Sequence, residues 1–137
     1  MILLKNCSLE NDLFFQGPCL DGQEWKQNYK KIGSYNVNGV NDVCKQRELV
    51  EWFNGSGMEV LGVQETHMLG RGVDGTDSEW EGLNGWACWS GMNEGERGRK
   101  RMGVAVLMSK RMGECVVDYA SVSARICWVV CKVGVRK

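Results

Sequence analysis

The sequence predicts an α/β protein, mixed in the α+β sense, and three observations carry that prediction. A strand–helix–strand pattern occupies residues 31–65. A Gly- and Asp-rich stretch at 66–84 separates it from the second half of the chain. There, short apolar runs bounded by turn residues recur at 85–91, 102–110, 114–122 and 125–135. With 137 residues, 43% hydrophobic and 25% charged, the chain has enough apolar material for one domain with its own core.

Residues 1–30 form a leader of weak periodicity, interrupted by Gly17, Pro18 and Gly22. It is expected to be poorly ordered or loosely docked, so the folded region is assigned to 31–137. Residues 31–37 read as a strand, with Ile32, Tyr35 and Val37 as its apolar members. A helix follows, because Val43, Leu49, Val50 and Phe53 fall on one helical stripe. Asn41 or Asp42 serves as its N-cap, and Gly55 to Gly57 end it. Residues 58–65 are a short apolar run bounded by turn residues, read as a buried strand. A crossover of this length lays the two strands parallel in one sheet, with both C-terminal ends on one rim. Such rims are where open α/β sheets hold ligands. The four later strands are expected to form an antiparallel meander. In it "SKRMG" is a turn, and Ser123–Ala124 links the last two strands.

Charge and cysteine content narrow the function classes. Seventeen basic and seventeen acidic residues cancel, so no global charge announces a nucleic-acid or membrane partner. Locally, Arg97, Arg99, Lys100 and Arg101 cluster within five positions, either as a solvated loop or as phosphate contacts. The cysteines number seven, without CxxC spacing, and no signal peptide precedes them. A secreted disulfide scaffold and a zinc site are therefore both disfavoured. Reduced thiols in an intracellular compartment are expected. Cys127 and Cys131, four apart in a strand, share one face as small hydrophobes. No apolar run approaches the ~20 residues that span a bilayer.

Two stretches stand out. "SYNVNGV" at 34–40 ends an apolar strand on Asn36 and Asn38, although Asn is a poor strand former and costly to bury unpaired. "VLGVQETHM" at 60–68 likewise breaks from an apolar run into Gln64, Glu65, Thr66 and His67. Asn36 and Asn38 either cap a turn before Gly39 or line the mouth of a site. Glu65 is a solvated strand-end charge or a ligand-binding carboxylate. His67, the only histidine, is structural or flanks the site.

Taken with "LVEWF", "GWACWSG", "GVAVLMSKR" and "SARICWVVCKV", these stretches resemble the endonuclease/exonuclease/phosphatase superfamily. Within it the look is closest to LINE-type retrotransposon endonucleases and their craniofacial-development-like relatives. The resemblance covers 31–135 and implies part of a four-layer α/β sandwich that cleaves phosphodiesters, with DNA as the ancestral substrate and an intracellular, nuclear setting. It further implies Glu65 as the Mg²⁺ (or Mn²⁺) ligand and Asn36 as the neighbouring residue that helps hold metal and scissile phosphate. Asn38 and His67 take flanking positions, with Asn38 where other branches carry an aspartate. With a single carboxylate, metal binding is expected to be weak. The later "GDFN"-like and "SDH"-like motifs of the family do not occur in these 137 residues. The resemblance thus implies an N-terminal half, truncated and inactive alone, whose other half comes from another exon or chain. The alternative is a non-catalytic remnant that binds nucleic acid weakly.

Overall fold

The computed structural model describes residues 2–5, 29–40, 42–74, 80–93, 102–132 and 134. Its elements are β1 (Ile2–Lys5), β2 (Tyr29–Asn36), α1 (Val43–Ser56), β3 (Val60–Gln64) and β4 (Arg71–Asp74). Then come β5 (Gly85–Ser90), β6 (Val104–Ser109), the single helical turn α2 (Lys110–Gly113), β7 (Val116–Ser123) and β8 (Ile126–Cys131). Six strands make one mixed sheet in the order β1-β2-β3-β6-β5-β4, and β7 and β8 make a second, two-stranded sheet.

The strand–helix–strand unit forms as its pattern predicts. Asp42 caps α1 by accepting the Cys44 N–H, and Gly57 ends it at φ +69°, a left-handed conformation glycine adopts without penalty. β2 and β3 pair in parallel, with Ile32 opposite Val60 and Asn36 opposite Gln64. Leu49, Val50 and Phe53 of α1 are buried against Leu61 and Val63 of β3, Ala105 and Leu107 of β6, and Ala87 and Trp89 of β5. Those sheet residues alternate along their strands, so one face of the sheet packs against α1.

The opposite face packs against the β7–β8 hairpin. Trp86 meets Tyr119 edge-on at 5.7 Å, Ser121 Oγ donates to the Trp89 carbonyl at 2.8 Å, and Ser90 Oγ donates to the Ser123 carbonyl. Cys127 and Cys131 do share the inward, half-buried face of β8. Its outward residues Ile126, Trp128 and Val130 are exposed, as are Val117 and Val122 of β7.

Four features differ from the sequence expectation. The stretch 66–84 contains a strand, β4, which pairs antiparallel with β5. "RGVD" has no strand-like pattern of its own, and the edge of β5 imposes the conformation. The four later strands do not form one meander. β6 already has β3 on one side and β5 on the other, so no edge remains for β7, and the chain starts a second sheet. "SKRMG" is a helical turn capped by Ser109, whose Oγ accepts the Met112 N–H. In the leader, Ile2–Lys5 pairs antiparallel with β2, an addition its weak periodicity did not signal. The remainder of the leader, residues 6–28, lies outside the described residues, as does the predicted cap Asn41.

Candidate active site

Beyond Asn36 and Gln64 the backbones of β2 and β3 stay hydrogen-bonded after regular pairing ends. The N–H groups of Val37, Gly39 and Val40 donate to the carbonyls of Gln64, Glu65 and Thr66 at 3.1, 2.7 and 2.8 Å. Thr66 and His67 in turn donate to the carbonyls of Gly103 and Met102 at 3.1 and 3.0 Å. Three chain segments therefore close on one another at the rim. Asn36, Asn38, Glu65 and His67 are brought together at this end of the sheet.

The backbone here is strained. Among the described residues the non-glycine positions with positive φ are Asn38 (+48°), Glu65 (+52°) and His67 (+57°). Each such conformation costs of order 1–3 kcal/mol and persists only where the surroundings enforce it, often at functional sites. Two glycines permit the closure. A Cβ on Gly39 would lie 2.7 Å from His67 Nδ1, and one on Gly103 would lie 2.3 Å from Thr66 Oγ1.

The side chains differ in how far they are committed. Asn36 is exposed, and its Oδ1 accepts the Asn38 N–H at 3.0 Å, which is the turn-capping role the residue type allows. An amide oxygen has a second lone pair, so this bond does not exhaust it. The Glu65 carboxylate has no hydrogen bond or ion pair among the described residues, and neither does the Asn38 side chain. His67 is half-buried, and its Nε2 is shut off from solvent with no partner among the described residues. Gln64 and Ser34 instead hydrogen-bond each other across β2 and β3 at 2.9 Å. Arg97, Arg99, Lys100 and Arg101 lie outside the described residues.

Sequence reasoning passed over Thr66 and the Met102–Gly103 segment. Thr66 is fully buried, its Oγ1 accepts the Met68 N–H, and its backbone joins β2 to the start of β6. The signal for it was a β-branched residue inside a polar tetrad, which reads equally well as loop.

The donor chemistry at the rim is one carboxylate and two side-chain amides. Among the described residues no group of three His, Cys, Asp or Glu side chains is placed to share an ion. This set suits a hard cation that keeps most of its water, and does not suit zinc or another soft metal.

A mixed sheet between a helix and a second sheet, with strained polar residues at the ends of parallel strands, defines an α+β protein with a strand-end site. The chain belongs to the Endonuclease/Exonuclease/phosphatase family, whose model matches residues 33–127. The match spans both Asn36 and Glu65, and the fold is consistent with part of that family's sandwich. The family gives the chain a nuclease- or phosphatase-type character, and its members generally use divalent metals. No curated protein matches the chain. Among the described residues no helix is long and apolar enough to cross a membrane.

Proposed function

We propose that this chain carries the metal-side half of a retroelement-type endonuclease site, acting on DNA, and that these 137 residues do not by themselves complete it. The observation that carries the reading is the Glu65 carboxylate, unpaired among the described residues and held in a strained conformation beside Asn36 at the ends of parallel strands. A divalent cation such as Mg²⁺ or Mn²⁺, when bound, neutralises phosphoryl charge and lowers the pKa of a bound water. Glu65 and the Asn36 amide oxygen would hold it, with Asn38 and His67 in flanking positions. One carboxylate gives such an ion little opposing charge, so binding is weak.

A general base and a residue facing the leaving oxygen are the functions this rim lacks among the described residues. Each positioned acid–base group contributes typically ~10²–10⁴-fold, so the chain alone is expected to leave cleavage near background. The exposed apolar face of the β7–β8 hairpin supports the view that further protein belongs there. Apolar patches of this kind commonly mark interaction surfaces. The second reading, a non-catalytic module that binds nucleic acid weakly through Arg97, Arg99, Lys100 and Arg101, needs only phosphate contacts. A nucleus-directed product would fit either.

Two measurements test the proposal. Titration with Mn²⁺ should show weak binding that Glu65→Ala abolishes, and equal binding by both proteins would remove Glu65 as the ligand. In supercoiled-plasmid nicking with Mg²⁺ the wild-type chain should stay at background. Robust nicking that Glu65→Ala eliminates would show that the chain holds a complete site.

A further inference from the structure

Away from the rim, the layer between the two sheets is lined with sulfur and hydroxyl groups. Cys88 of β5 is fully buried beneath the hairpin, and its Sγ lies 3.6 Å from Ser121 Oγ of β7. Ser121 is the register partner of Cys127 on β8. Cys127 lies on the same inward, half-buried side of the hairpin as Ser121, over Cys88. Both cysteines are free thiols. The sheets approach closely because small side chains face each other. Ser121 Oγ reaches the Trp89 carbonyl and Ser90 Oγ reaches the Ser123 carbonyl across the same layer.

We propose that Cys88 and Cys127 are a redox-responsive pair that closes to a disulfide between the sheets and fastens the β7–β8 hairpin to β5. The pairing has a consequence because a two-stranded hairpin is marginal on its own. Here its hold on the larger sheet consists of a few side-chain contacts and the Gly103 N–H bond to the Ala124 carbonyl. Transient opening of such an element admits a small oxidant. The nearby Cys127 and Ser121 side chains lower the Cys88 pKa against the upward push of burial. Cys88 attacks first and Cys127 resolves; the reverse order gives the same disulfide.

Hydrogen peroxide serves as the oxidant. The Cys88 thiolate attacks one peroxide oxygen, the O–O bond breaks, and hydroxide leaves as Cys88 becomes a sulfenic acid. Cys127 sulfur then attacks the Cys88 sulfur, the S–O bond breaks, and the second hydroxide departs. With the two thiol protons, the products are one disulfide and two waters. A thiol reductant reverses the bond by exchange.

The test uses the full chain, fully reduced and then treated with peroxide, with free thiols alkylated after unfolding. Tryptic mapping should show the peptide bearing Cys88 joined to residues 126–132, with fragment spectra placing the bond on Cys127 rather than Cys131. Oxidised protein should melt on the order of 10 °C higher than reduced protein, since the bond closes a long loop, and dithiothreitol should reverse the shift. Cys127→Ser should lose both the crosslink and the shift. Free, alkylated Cys88 and Cys127 after treatment would overturn the proposal. So would sulfinic acid without a crosslink, or a bond between Cys115 and Cys131 instead. The peptide map needs no variant, so it decides the matter even where Cys127→Ser fails to fold.

Discussion

Glu59 and Glu65 bracket the same strand, one just before β3 and one just after it, and their surroundings are opposite. Glu59 is committed at every polar group. Its carboxylate meets Lys30 Nζ at 3.6 Å and accepts a hydrogen bond from the Ser109 hydroxyl, while its backbone bonds Lys31 and Ser109. Lys30 is only 6% exposed, so that ion pair spares a cation from being buried alone. Glu65 has a carboxylate without a partner among the described residues, on a left-handed backbone supported by neighbouring chain. The difference separates a glutamate that holds the sheet together from one that the sheet holds up for something else.

The contrast breaks first at Glu59. Glu59→Ala leaves Lys30 buried without its partner and Ser109 without its acceptor, which should destabilise the fold by about 3 kcal/mol. Urea unfolding measures this, and a loss below about 0.5 kcal/mol, the range of ordinary surface substitutions, would erase the distinction. Glu65→Gly should move the other way. Relief of the left-handed strain, partly offset by the chain entropy of glycine, gives a gain of about 0.5–1 kcal/mol, with Mn²⁺ binding lost. A loss of stability comparable to that of Glu59→Ala would make Glu65 structural after all. The smallest effect on stability belongs to Asn36→Asp. The carboxylate can still accept the Asn38 N–H, so unfolding should change by less than about 0.5 kcal/mol. The second negative charge should tighten Mn²⁺ several-fold in calorimetric titration, and unchanged affinity would place Asn36 outside the ion's reach.

Much of the site's location was legible because two local patterns point to one place. An apolar strand ending in Asn36 and Asn38, a capped helix, and a second apolar strand ending at Glu65 leave few topologies, and the parallel crossover is the short-connection solution. The turn-capping alternative for Asn36 and the site reading were never exclusive, since its Oδ1 caps the turn while Asn36 stands at the rim. Other features were invisible along the chain. Nothing in "QETH" distinguishes the fully buried Thr66 from its neighbours, because its burial comes from Gly103, far away in sequence.

The sequence by itself determined the strand–helix–strand unit and the strands β5 to β8, though not β1, β4 or the helical turn α2, since apolar period, caps and breakers act over a few residues. It also determined that Asn36 and Glu65 fall at strand ends. Only the tertiary structure decided that β6 enters between β3 and β5, which denies β7 an edge and creates the second sheet. It alone decided that Glu59 is paired while Glu65 has no partner among the described residues, and that Cys88 lies beneath Ser121 and its register partner Cys127. Those outcomes depend on contacts between residues distant along the chain. Local propensity carries no information about them, because register and layer packing are settled by which faces and edges remain available once the core has closed.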